Sequence, residues 1–144
     1  MPNRGTLAIN FTIGFGNNLF QYCYGRLLAE KNNLQIHHRA IPEMGVPAAV
    51  ANVDKGLPTI VVNDTNYKKV FFTQNLENCN VVVGGYFEDY KIFEPYLKEI
   101  RGWFKHPGIS NKKDLVLHLR LQNRLIQISH NQNHISSDAF KRAI

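Results

Sequence analysis

Residues 6–38 read TLAINFTIGFGNNLFQYCYGRLLAEKNNLQIHH. Thr6 to Ile13 is short, apolar and partly β-branched, the pattern of a buried strand. From Leu19 onward Phe20, Cys23, Tyr24, Leu27 and Leu28 recur at helical spacing, while Arg26, Glu30 and Lys31 take polar positions. This predicts an amphipathic helix ending near Asn32 and Asn33, with Asn17 or Asn18 as its N-cap. Leu34 to His38 predicts a second strand. Strand, glycine turn, helix and strand make a βαβ unit, whose strands run parallel through a right-handed crossover. The expected class is therefore α/β, a Rossmann-like parallel sheet with flanking helices.

Outward from this unit, residues 40–58 hold Pro42, Pro47 and Pro58 and read as a loop. Thr59 to Val62 predicts a third strand and Val70 to Thr73 a short fourth. Val81 to Val83 predicts another, leading into Gly84 and Gly85. Ile92, Phe93, Tyr96, Leu97, Ile100 and Phe104 form a helical stripe. Asp114 to Leu121 predicts a strand carrying His118 and Arg120 on one face, two residues apart. Residues 122–135 are polar, and Ser137 caps a last helix from Asp138 whose apolar pattern runs to Ile144.

The 144 residues suit a single α/β domain, and 44% hydrophobic residues supply a core. The formal charge of +6 suits an anionic ligand. The basic residues are scattered, so no nucleic-acid partner is expected. Cys23 and Cys79 fit no metal or disulfide spacing; Cys23 reads as a buried apolar residue. The N-terminus has no apolar run of signal or anchor length, so a cytoplasmic location is expected if the chain is complete there. The sequons at Asn10 and Asn63 fall in or beside expected strands and read as accidental.

The turn at Gly14 to Asn18 lies at the carboxyl end of a parallel strand, where α/β sheets bind ligands. Helix N-termini suit phosphate or carboxylate, Gly14 and Gly16 permit close approach, and Asn17 and Asn18 add amide donors. It is not a dinucleotide fingerprint, because Leu19 stands where a third glycine belongs. Arg39 follows the second strand in place of an acid, which leaves an NADP 2′-phosphate as an alternative. His118 and Arg120 together could neutralise a diphosphate. Glu88 and Asp89 follow the strand end at Gly84 and Gly85, and are also the acids a helix N-terminus favours.

Three stretches in this order resemble the α-1,2-fucosyltransferase family: GFGNNLFQY at 14–22, VVVGGYFEDYKIF at 81–93 and LVLHLRLQNRL at 115–125. The segment SSDAFKRAI is similar to the helix that follows in that family. The resemblance implies a GT-B-like fold of which this chain covers the N-terminal, acceptor-side half, the nucleotide-binding half lying beyond it. It implies transfer of fucose from GDP-fucose to a sugar hydroxyl with inversion, no cofactor and no required metal. The implied partners are a nucleotide sugar and a carbohydrate acceptor. An exposed domain face would also favour self-association.

By the same resemblance Arg120 binds the β-phosphate and His118 shapes that region, while Gly14, Gly16, Asn17 and Asn18 lie beside the donor. Departures from the pattern are Asn18 for Gln, Leu121 for a second Arg, and Gln122-Asn123 for Gly-Asp. Loss of a charge-assisted bond at Leu121 weakens phosphate binding by about 1.5–3 kcal/mol. Departure of GDP calls for prepositioned cations and N–H dipoles, expected of Arg120 and the Asn17 turn. Glu88, Asp89 and His118 are the candidate bases for the acceptor hydroxyl. A non-catalytic sugar- or nucleotide-binding remnant of the same fold is the alternative.

Overall fold

The structure, a computed structural model, describes residues 5–104, which belong to one compact unit. Strand β1 (Thr6–Ile9) leads through helix α1 (Phe15–Lys31) to β2 (Gln35–His37). A 3-10 turn at Pro42–Met44 interrupts the long connection to β3 (Thr59–Val62). Helix α2 (Tyr67–Thr73), β4 (Asn80–Val83), α3 (Tyr90–Phe93), a 3-10 turn at Glu94–Tyr96 and α4 (Leu97–Trp103) complete it.

The four strands are parallel in the order β2-β1-β4-β3, which makes the molecule α/β and Rossmann-like, as expected. Leu7 pairs with both Ile36 and Val81, and Val81 with Ile60, so these side chains share a face. The crossovers β1–α1–β2 and β3–α2–β4 step across the sheet in the same direction. Right-handed connections then place both helices on one face. The contacts agree: the Tyr24 ring of α1 lies 5.9 Å from Phe71 of α2. Beneath the helices Leu7, Val62, Val81 and Val83 are buried, with Tyr24, Leu28 and Phe87 packed above. On the opposite face Thr6 Oγ1 donates to Asn80 Oδ1 at 2.9 Å, whereas Val61 is 57% exposed.

Four expectations are corrected. The first strand stops at Ile9 rather than Ile13. After Asn10 the backbone leaves the ladder, and the Thr12 amide donates to the Gln21 side chain instead. The first helix begins at Phe15, so Asn17 and Asn18 lie inside its first turn and Gly14 is the N-cap. Val70 to Thr73 is helical, within α2. The Asn63 side chain accepts from the Thr65 amide at 2.9 Å, and that of Asn66 from the Asn63 amide at 2.9 Å, making a turn that launches a helix. Tyr67 and Phe71, one turn apart, then both meet Tyr24, and packing outweighs the β-propensity of Val70, Phe71 and Phe72. The stripe from Ile92 to Phe104 is divided into α3, the 3-10 turn and α4, with Pro95, which has no N–H to donate, in that turn. The strand from Asp114 and the helix from Asp138 lie outside the described residues.

Candidate functional site

The carboxyl ends of β1 and β4 lie side by side, since Ile9 pairs with Val83 and the Asn10 amide donates to the Val83 carbonyl at 2.9 Å. Each end opens into a glycine-bearing loop. In the first, Gly14 has φ +109°, a conformation L side chains rarely adopt. The chain turns out of the sheet there and α1 starts at once, without a side-chain cap. Asn17 Nδ2 donates back to the Ile13 carbonyl at 3.2 Å, closing the turn.

The second loop is held from two sides. One Asp64 oxygen accepts from the Phe87 amide at 2.9 Å, and both lie 3.0 Å from the Tyr86 amide. This carboxylate fixes Phe87 at φ 54°, a strained region for a bulky residue. The Phe87 ring is buried and stacks on Tyr24 at 4.3 Å, so packing offsets the strain.

Gln21 joins the two loops. It is fully buried. Its Oε1 accepts from the Thr12 amide at 3.1 Å, and its Nε2 donates to Thr12 Oγ1 at 3.2 Å and to the Gly85 carbonyl at 2.8 Å. Asn18, also buried, works beside it. With its amide oriented to satisfy its neighbours, its nitrogen donates to the Thr12 carbonyl at 2.8 Å and its oxygen accepts from Arg39 Nη2 at 2.8 Å. The Arg39 guanidinium also lies 5.0 Å from the Phe11 ring centroid. An exposed cation is thereby aimed beside the first turn of α1, a turn that carries no acidic residue.

The glycines of the two loops divide into two kinds. Gly14 is required by its φ. Gly85 is required by space, because a Cβ there would lie 2.8 Å from the Phe87 ring and 2.9 Å from the Asp64 nitrogen. Gly16 and Gly84 are not: a Cβ at either would meet nothing within 4 Å among the described residues, and both are exposed. Packing among the described residues therefore gives no reason for glycine at these two positions, one in the first turn of α1 and one directly after β4.

Glu88 is exposed. Asp89 is committed: its Oδ1 accepts from the Lys91 amide at 3.2 Å as the N-cap of α3, and its Oδ2 pairs with Lys68 Nζ at 2.6 Å and accepts from Tyr67 Oη at 3.3 Å. The Lys68 ammonium holds its carboxyl below the usual aspartate range. Of the donor residues expected from sequence, Gly14, Gly16, Asn17 and Asn18 come together at the N-cap and first turn of α1. His118, Arg120 and the departures at 121–123 lie outside the described residues. Among the described residues no group of three His, Cys, Asp or Glu side chains is placed to hold a metal ion, and no helix is long and apolar enough to cross a membrane.

Sequence reading missed Gln21 and Asp64 and gave Arg39 a different task. The signal for Gln21 was available: it is a polar residue between Phe20 and Tyr22 on a helix face otherwise filled by the core. The Asp64 contact spans 22 positions to Tyr86 and leaves no local pattern. No protein-family model, curated protein or solved structure matches this chain.

Proposed function

We propose that this chain carries the acceptor-side part of an inverting glycosyltransferase of the fucosyltransferase type, which transfers fucose from GDP-fucose to a sugar hydroxyl. The observation that carries the reading is the pair Gly16 and Gly84. Gly84 directly follows β4, and Gly16 lies in the first turn of the helix that follows the neighbouring parallel strand β1, on the side where α/β sheets take ligands; packing among the described residues demands neither glycine. A ligand lying against the backbone accounts for both. The α1 N–H groups and the Arg39 guanidinium give that place a positive character, suited to the diphosphate of a nucleotide sugar.

In this reading the departing GDP is stabilised by prepositioned charge: Arg39 and the Phe15–Asn17 amides from this loop, and Arg120 with His118 by resemblance. Asp89 is the weaker base, because the ion pair that lowers its pKa also lowers its proton affinity. Glu88, exposed and close to Gly84 and Gly85 in the chain, is the stronger candidate for the acceptor proton. No metal enters the scheme. The NADP alternative fares worse on topology, because among the described strands β2 lies at the edge and β3 on the far side of β4, unlike the 3-2-1 half of a dinucleotide fold.

The test is calorimetric titration of GDP and GDP-fucose into the chain, its Gly16→Ala variant and its Arg120→Ala variant. Binding that is lost in Gly16→Ala, while the variant stays as stable as its parent, supports the reading. Full binding by Gly16→Ala overturns it, as does absence of GDP-fucose binding by the longest form of the protein. Binding without fucosyl transfer in the longest form of the protein favours the non-catalytic remnant.

A further inference from the structure

The triplet Asn63-Asp64-Thr65 has the form Asn-x-Thr, with x other than proline, that accepts N-linked oligosaccharide. Asn63 does stand beside a strand, directly after β3, but the chain leaves the sheet there in the turn that launches α2. Asp64 and Thr65 are exposed and Asn63 is half-buried. Among the described strands β3 is an edge, so the turn sits at a corner of the sheet.

The turn holds the Asn63 side chain in one setting. Its Oδ1 accepts from the Thr65 amide at 2.9 Å and from the Thr65 hydroxyl at 2.6 Å. The backbone is fixed as well: the Asn63 amide donates to Asn66 Oδ1 at 2.9 Å, and Asn66 Nδ2 donates to the Val61 carbonyl at 2.9 Å. Both side-chain bonds fall on the oxygen, and Nδ2 meets no partner among the described residues. No half-buried residue there keeps a side-chain nitrogen or oxygen both sealed from solvent and unpartnered, so Nδ2 reaches solvent. Two donors on Oδ1 draw amide electron density toward the oxygen, which makes the Nδ2 protons easier to remove. The sequon at Asn10 is arranged differently. Thr12 turns to Gln21, its amide donating to Oε1 at 3.1 Å and its hydroxyl accepting from Nε2 at 3.2 Å.

We propose that Asn63 is a modification site, which takes an N-linked oligosaccharide from a lipid-pyrophosphate donor when the chain passes through a secretory compartment. The bond from the anomeric carbon to the pyrophosphate oxygen breaks, and its electron pair leaves with the lipid pyrophosphate. Nδ2 forms the new bond to that carbon and gives one proton to a base of the transferase. The product amide keeps its oxygen, so both Thr65 hydrogen bonds persist. The Asp64 carboxylate goes on holding the Tyr86 and Phe87 amides, so the glycan projects from the sheet corner without releasing the second glycine loop. The site is separate from the nucleotide-sugar reading and stands without it.

The test is expression of the longest form of the protein in a eukaryotic cell, with an appended signal peptide directing it into the secretory compartment. Digestion with peptide-N-glycosidase in ¹⁸O water and peptide mass mapping then read the site. The expected result is conversion of Asn63 to ¹⁸O-labelled Asp, lost in Asn63→Gln and in Thr65→Ala and kept in Thr65→Ser. Thr65 is exposed, so its variants are expected to fold, which a thermal melt checks. Removing the glycan from the folded protein is expected to leave the melting temperature in place. Asn63 recovered unmodified from the secreted protein overturns the proposal. So does label at Asn63 that survives Thr65→Ala, which would report spontaneous deamidation, or a glycan found only on misfolded, retained protein.

Discussion

Gln21 donates to the Gly85 carbonyl at 2.8 Å, across 64 positions of sequence. This one buried amide makes the loop after β1 and the loop after β4 a single unit. Replacing it with Ala leaves the Gly85 carbonyl and the Thr12 amide without their partner. A loss of about 2–4 kcal/mol is expected, measured by urea denaturation. Gln21→Glu is expected to lose stability as well, because a carboxylate would face the Gly85 carbonyl with no proton to give.

The four glycines of the loops should separate in a thermal melt. Gly16→Ala is expected to raise stability by about 0.5–1 kcal/mol, since Ala is the better helix former and the space is open. Gly85→Ala is expected to cost roughly 1–3 kcal/mol, from the collision with Phe87 and the Asp64 backbone. Gly14→Ala is expected to cost about 1–2 kcal/mol, from its left-handed φ. Gly84→Ala is expected to leave stability near its starting value. A stabilised Gly16→Ala that loses GDP binding would separate folding from ligand recognition at one position.

Asn18 and Arg39 form the other testable pair. Asn18→Ala removes the acceptor that orients the guanidinium. Under the nucleotide-sugar proposal, GDP affinity is expected to fall about tenfold, roughly 1.4 kcal/mol, and by at least as much in Arg39→Ala. The double variant should then lose no more than Arg39→Ala alone, because the Asn18 effect acts through Arg39. Calorimetry on the four proteins of the cycle measures this.

Burial pushes the Cys23 thiol up to about 12, with Arg26 opposing the shift. The folded protein therefore holds the proton at pH values where the unfolded chain releases it. Stability from this group is complete below about pH 9 and declines as pH rises toward 12. At neutral pH a thiol reagent is expected to spare Cys23 until the protein unfolds, whereas Cys79, which is half-buried, reacts earlier. Mass mapping of the modified sites decides it.

His38 gives the opposite limb. Its folded pKa lies below the usual value of 6.5, so its contribution is present above 6.5 and is lost as pH falls through the folded pKa. An NMR titration should place its midpoint below that of an ordinary histidine. His38→Phe is expected to flatten the stability profile over that interval.

Much of the βαβ unit was legible because its signals are local. A partly β-branched run at Thr6 to Ile13 and a short run at Leu34 to His38 bracket a helical stripe, and Gly14 marks the turn. The nature of α2 was not legible, since Val70, Phe71 and Phe72 carry strand propensity and only the Asn63–Asn66 turn and the Tyr24 ring make them helical. For the candidate site, sequence grouped Gly14, Gly16, Asn17 and Asn18, which the structure places at the N-cap and in the first turn of α1. It could not tell a glycine required by the fold from one that is not, because that depends on what a Cβ would meet. Nor could it see that Asn18 turns inward to Arg39, since helix position alone allows an outward donor.

The strand order has a consequence for how the chain acquires its shape. β4 is inserted between β1 and β3, and the Leu7–Val81 pairing joins segments more than seventy residues apart. On a ribosome, β1, α1 and β2 can assemble early as a local unit, but β3 has no neighbour until β4 emerges. Because closing so long a loop is entropically costly, the β1–β4 pairing should form late, and substitutions at Val81 or Val83 should act mainly on the unfolding rate. The two glycine loops, tied together by that last pairing, would be among the final parts to take shape during synthesis.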